Sequence, residues 1–268
     1  MLYWRSFLFI IIVASVNFSC QSKAGEPKVT LHTDSTGYHP PKPSPIPPDK
    51  LKYYQDNIEE FYQKYLVRSG FNGGILVAKN GQVIFEKYRG YYNLQKKDSL
   101  TPHSAFHLAS VSKTFTAMAV LKLAEENKLN INDSIQKFFP AFPYPGVTIK
   151  TLLNHRSGLP NYLYFMEKLH WPKDSLCSNE DILNYLIEFK PPATGRPDTH
   201  FQYCNTNYSL LGLIIEKASG MSYEDFLRKE FFVPLGMKDT YVFNFKRDSA
   251  AFMHSYDYRG RQEPITCL

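Results

Sequence analysis

The stretch Leu108-Ala109-Ser110-Val111-Ser112-Lys113-Thr114-Phe115-Thr116-Ala117 decides how the chain is read. It sets a serine and a lysine three residues apart at the head of an apolar segment, Met118 to Leu123. The pattern predicts a helix from about Ser110 to Glu126, apolar on much of its surface and therefore buried, with Met118, Val120, Leu121 and Leu123 in the core. On a helix, residues at i and i+3 share a face. Ser110 Oγ and Lys113 Nζ are thus expected to meet over one turn. A serine hydroxyl is a weak nucleophile until a neighbour takes its proton. A lysine amine can do so where burial or a nearby cation lowers its pKa. The helix N-terminus adds partial positive charge where a tetrahedral oxyanion would form. A second Ser-x-x-Lys, Ser134-Ile135-Gln136-Lys137, follows Asn132-Asp133, precedes Phe138-Phe139-Pro140, and reads as a short surface turn.

Upstream, residues 1–19 read as a leader rather than as part of the fold. Arg5 is its only charge, and Phe7 to Val16 is an apolar run broken only by Ser15. That length is too short for a membrane span and suits a signal-peptide core. Val16-Asn17-Phe18-Ser19-Cys20 is similar to a loose bacterial lipobox, so Cys20 is the expected lipidation site and mature N-terminus; simple cleavage and secretion is the alternative. Residues 20–50 have the composition of a tether, with Pro27, Pro40, Pro41, Pro43, Pro45, Pro47 and Pro48 holding the chain extended and semi-rigid. Cys177, Cys204 and Cys267 remain, an odd number at wide spacing, which argues against a disulfide framework. No Cys/His spacing suggests zinc. The formal net charge is +6, but lysine and arginine are scattered rather than clustered, so no nucleic-acid footprint is seen. Neither a metal nor a cofactor is expected.

Residues 51–268 form the expected globular part. Leu51 to Val67 has helical spacing, with Leu51, Tyr54, Ile58, Phe61, Tyr62 and Tyr65 largely on one face and Gly70 as the stop. Gly74 to Ala78 and Gln82 to Glu86 flank Asn80-Gly81, a strong hairpin signal. Val147 to Leu153 reads as a short helix running into His155-Arg156-Ser157-Gly158-Leu159-Pro160. Ser178-Asn179-Glu180-Asp181 opens a helix that ends before Pro191-Pro192, and Ser222-Tyr223-Glu224-Asp225 opens another after Gly220.

Further along, Tyr203-Cys204-Asn205 precedes a helix from Tyr208 to Lys217, followed by Val233-Pro234-Leu235-Gly236-Met237-Lys238-Asp239-Thr240. The ordered set Ser110/Lys113, then His155-Arg156-Ser157-Gly158-Leu159, then Tyr203-x-Asn205, resembles the serine β-lactamase-related family. That family includes class C β-lactamases, low-molecular-weight penicillin-binding proteins, and esterases and D-aminopeptidases of the same fold. The resemblance covers about residues 53–258. It implies an α/β fold: an antiparallel sheet packed with helices beside a mostly helical lobe. It also implies acyl transfer. Ser110 attacks a carbonyl, and Lys113 or Tyr203 takes its proton, the two sharing that proton at close range. Asn205 offers its amide to the substrate or fixes Lys113. The loop at His155 is read as structural, since a Ser/Lys/Tyr site needs no imidazole.

One motif of the family is missing. Its third element, a Lys-Thr-Gly or His-x-Gly turn on a strand, has no counterpart after Asn205. That strand gives one oxyanion-hole donor, worth about 100- to 1,000-fold in rate. The chain is therefore expected to lack C-terminal strands of the sheet, leaving a hairpin edge unpaired. It reads as a fragment or shortened product of a longer hydrolase, or else as a self-standing protein that no longer catalyses. The expected activity is that of an envelope serine hydrolase, lipid-anchored at the membrane or secreted, acting on a small-molecule or peptide substrate: a β-lactam, a peptidoglycan peptide, a D-amino-acid amide or an ester. The alternative is an inactive or peptide-binding envelope protein.

Overall fold

The computed structural model describes residues 42–172 and 175–248, together with 253, 255, 256 and 261. The leader, Cys20, Cys267 and most of the Pro-rich stretch lie outside the described residues. The described part of that stretch is not a free tether up to residue 50. Ser44 N–H donates to the carbonyl of Asn80 (3.0 Å), and Ile46 is buried.

Helix α1 (Pro48–Phe61) opens with Pro48 at its first position, where a missing N–H leaves nothing unsatisfied. It continues into a wider π-type turn, Tyr62–Val67. That turn corrects the expected apolar face. Tyr62 is buried and meets the Phe85 ring at 5.8 Å, whereas Phe61 and Tyr65 point outward and pack on each other at 5.0 Å. Strands β1 (Gly73–Lys79) and β2 (Gln82–Arg89) form the antiparallel hairpin, with an irregularity between Val77 and Ala78. Its turn residues Asn80 and Gly81 have φ of 54° and 75°, the left-handed pair a two-residue type I′ connection requires. α1 lies on this hairpin, with Gln55 Nε2 donating to the Ile84 carbonyl (3.0 Å) and Lys87 paired to Glu59 (2.9 Å). Leu76 and Val83 of the hairpin stay exposed. A second short antiparallel pair, β3 (Tyr91–Asn93) and β4 (Asp98–Ser99), leads towards Ser110.

The remaining elements build the helical lobe. A 3₁₀ turn, Ala109–Val111, runs into α2 (Ser112–Glu125). Then come α3 (Ile149–Leu153), α4 (Tyr162–Lys168), α5 (Asn179–Phe189), α6 (Asn205–Ser219), α7 (Tyr223–Leu227) and α8 (Phe245–Asp248). The capping signals act as read. Ser178 and Asp181 form a reciprocal box at the head of α5, and Ser222 caps α7. Lys190 and Gly220 end α5 and α6 in the left-handed conformation. α6 begins at Asn205, three residues earlier than its apolar pattern indicates. It packs against α2, α3, α4, α5 and α7. Leu210, Leu211, Ile214 and Ile215 are fully buried, as suits a helix surrounded by other helices.

α2 departs from expectation. Thr116, Ala119, Val120 and Leu123 form its buried stripe against the lobe. Met118 and Leu121, expected in the core, are 40% and 53% exposed together with Val111 at 59%. The two sets lie on opposite sides of one helix, and only one side meets α6. Leu123→Ala is expected to cost about 2–5 kcal/mol of stability by opening a core cavity. Leu121→Ala is expected to change it by less than about 0.5 kcal/mol. Urea unfolding followed by circular dichroism checks both.

Candidate active site

Ser110 sits in the 3₁₀ turn that feeds α2, directly after Ala109, whose φ of 45° is left-handed. Such backbone costs a non-glycine residue about 1–3 kcal/mol and persists only where its surroundings hold it. The serine is exposed. Lys113 Nζ donates to Ser110 Oγ at 3.1 Å, across the one turn the spacing indicated. Tyr203 lies immediately before α6, and its phenol donates to the same Oγ at 2.7 Å. Two groups thus converge on one hydroxyl oxygen, one from its own helix and one from 93 residues downstream.

The charge of Lys113 organises the site. Its nitrogen lies over the faces of two rings, 5.1 Å from the centroid of Tyr203 and 5.7 Å from that of Tyr208. Aromatic faces attract a cation at this range. For the Tyr203 phenol, burial pushes the pKa up, but the hydrogen bonds to Lys113 and Ser110 and the lysine charge outweigh it. The net result is a phenol held below the ordinary tyrosine value. Tyr208 is pushed the other way, by burial and by Tyr203, and its hydroxyl donates to the Leu153 carbonyl (3.0 Å). Tyr208 therefore frames the lysine. Its type and place, one helical turn past Asn205, were the only sequence signals for it.

Asn205 is the first residue of α6. Its Oδ1 is buried and has no hydrogen-bond partner among the described residues. Lys113 Nζ is hydrogen-bonded to Ser110 Oγ. An unpaired buried acceptor is a costly feature in a core and a usable one in a site that a donor group enters. The decoy Ser134/Lys137 pair is accounted for by other contacts. Lys137 Nζ binds Asp133 (2.7 Å), and Ser134 is occupied by Gln136. Cys204 is buried and forms no disulfide among the described residues. No group of His, Cys, Asp or Glu among the described residues could hold a metal ion.

The loop from His155 to Pro160 backs the site. Thr194 N–H donates to the Gly158 carbonyl (2.8 Å), and Arg156 Nε pairs with Asp198 (2.7 Å). At Gly158, φ is 69° and an added Cβ would stand 2.2 Å from the Gly195 carbonyl oxygen, so only glycine fits there. The loop thereby fastens residues 194–202, the approach to Tyr203.

The Beta-lactamase family profile matches residues 56–266. The chain belongs to the Beta-lactamase family. Penicillin-binding protein 4* of Bacillus subtilis is 39% identical over 210 residues, which cover 78% of this chain and 45% of that protein. The chain therefore spans less than half the length of that relative. A penicillin-binding protein from Bacillus halodurans has a TM-score of 0.64 at 26% identity, over 78% of this chain and 63% of that one. The D-amino acid amidase from Ochrobactrum anthropi SV3 has a TM-score of 0.61 at 25% identity, over 81% and 60%. The family is one of serine hydrolases with the β-lactamase fold, and the antiparallel hairpin beside a helical lobe is its architecture here.

The electrostatics of Tyr203 are open to direct measurement. A difference titration between the wild-type chain and Tyr203→Phe is expected to show a phenol ionising below the usual value of about 10. Lys113→Met removes the cation that favours phenolate and is expected to move that ionisation upward. An unchanged midpoint in Lys113→Met would show that the lysine charge is not its cause.

Proposed function

We propose that the chain carries the acyl-transfer machinery of an envelope serine hydrolase, with Ser110 as nucleophile and Tyr203 and Lys113 as its proton-handling pair. One observation carries this reading: a single hydroxyl oxygen is held at once by Lys113 Nζ at 3.1 Å and by Tyr203 OH at 2.7 Å. The chemistry follows from the charges. The Tyr203–Lys113 pair, its phenol held below the ordinary tyrosine value, takes the Ser110 proton as Oγ bonds to the substrate carbonyl carbon. The carbonyl electrons move to oxygen, facing the positive end of α2. As the tetrahedral intermediate collapses, the Tyr203 proton passes to the leaving nitrogen or oxygen and the carbonyl re-forms as an acyl-serine. Water then repeats the sequence and releases the acid. The two groups share the proton at close range, so neither titrates alone. Asn205 meets the substrate with its amide and uses its unpaired Oδ1 for a substrate donor.

The substrate class is a carbonyl compound with an amide or ester to break: a β-lactam, a D-amino-acid peptide or amide, or a short ester. The names of the similar proteins, a penicillin-binding protein and a D-amino acid amidase, support that range. The leader at 1–19 and Cys20 support a place in the bacterial envelope, anchored by lipid. A second reading is a protein that binds such peptides without turning them over. The exposure of Ser110 favours it.

Covalent labelling decides between them. The wild-type chain is expected to take up a fluorescent fluorophosphonate or penicillin. Ser110→Ala is expected to abolish the label, and Ser134→Ala to leave it unchanged. Equal labelling of wild type and Ser110→Ala would assign the nucleophile elsewhere, and no labelling of the wild type would favour the binding reading.

A further inference from the structure

Tyr203 stands at Ser110 only while the short irregular segment before α6 is held in place, and His155 grips that segment at three points. The His155 carbonyl accepts the N–H of Gln202 (2.8 Å), the residue before Tyr203. Its Nδ1 accepts the N–H of Cys204 (3.2 Å), the residue after it. Between these two bonds the imidazole lies against the Tyr203 ring, with centroids 4.4 Å apart and planes 33° from parallel. The Tyr208 ring also lies near it, at 5.1 Å and 35°. The left-handed backbone of His155, φ 55°, turns carbonyl and ring towards the same segment.

The surroundings also fix which form of the ring this grip needs. The Cys204 peptide N–H can only donate, so Nδ1 must present a lone pair. A second donor faces the same atom. Leu159 N–H donates to Ser157 Oγ (3.2 Å), and Ser157 Oγ–H donates to Asn207 Oδ1 (2.7 Å). That sets the Asn207 amide nitrogen 3.4 Å from His155 Nδ1. Ser157, Asn207 and His155 are all buried, so water is not at hand to repair a mismatch. The ring proton therefore belongs on Nε2, and a second proton on Nδ1 would set N–H against N–H. The titratable groups facing the ring are Lys113 from α2, Tyr203 and Cys204 from the segment before α6, and Tyr208 from α6. None of these is a carboxylate that would welcome an imidazolium.

We infer that His155 is a positioning residue whose neutral, Nε2-protonated imidazole sets Tyr203 against Ser110, so that protonating His155 disarms the site. The inference rests on the hydrolase reading above and adds an acid switch to it. Burial, with the Lys113 charge behind it, holds this imidazole below the ordinary histidine value. The sign follows. The neutral ring and its grip are fully present above about pH 6.5, and they are lost as pH falls through the lower value of the folded state.

Two measurements on the full chain test it. In ring-¹⁵N-histidine spectra, the resonance that vanishes in His155→Asn is expected to be an Nε2–H tautomer titrating below about 6.5. Lys113→Met is expected to raise that midpoint. An Nδ1–H tautomer, or an ordinary midpoint, would overturn the inference. The second measurement is the pH profile of fluorophosphonate labelling. His155→Asn keeps an acceptor near the Nδ1 position but cannot titrate, and is expected to label without the acid limb of the wild type. His155→Phe keeps a ring but no acceptor, and is expected to label about 100-fold more slowly at every pH, the scale of a misplaced catalytic group. An unaltered acid limb in His155→Asn, or wild-type rates in a folded His155→Phe, would also overturn it. A wild-type chain that takes no label fails the hydrolase reading instead, and the ring spectra then judge the state of His155 alone.

Discussion

The dry contact between α2 and α6 is the constraint on which the rest of the molecule depends. α2 carries Ser110 and Lys113 at its head, and α6 is entered through Tyr203 and Asn205. Ala119, Val120 and Leu123 on one side, and Leu210, Leu211 and Ile214 on the other, are fully buried. Close-packed interiors resist small displacements. A hydrogen bond of 2.7 Å between Tyr203 and Ser110 therefore inherits its precision from apolar packing rather than from the polar groups themselves. A hydrogen bond between Tyr223 OH and Thr116 Oγ1 (2.6 Å) ties α7 to the same helix.

Around that frame, one cation decides the behaviour of three rings. Lys113 draws the Tyr203 phenol below its usual range, lies over Tyr208, and helps to keep His155 neutral. A charge set among aromatic faces in a partly desolvated place acts more strongly than the same charge in water. The arrangement makes the site a coupled unit, in which each residue's ionisation is a property of the group.

The molecule is also two-sided in a way that composition does not disclose. α2 turns Val111, Met118 and Leu121 outward, and the hairpin turns out Leu76 and Val83. Apolar residues in that number on one helix face and one sheet face are uncommon as bare surface. Ser110 is exposed as well.

What the sequence determined by itself is local. Asn80-Gly81 specifies the hairpin because its two residues tolerate positive φ. Ser178 and Ser222 start helices because their hydroxyls satisfy free amides. Ser110 and Lys113 meet because three residues make one turn. The ordered motifs brought Tyr203 into the same reading. The tertiary structure decided everything that depends on which surface meets which. It placed Met118 and Leu121 outside although they are as apolar as the buried Leu123. It turned Phe61 and Tyr65 away through a π-type turn, and it brought Tyr208 and His155 around Lys113. Periodicity states that a helix has faces; it does not state which face finds a partner. That choice is made by chain segments dozens of residues apart, through packing that no short window of sequence contains.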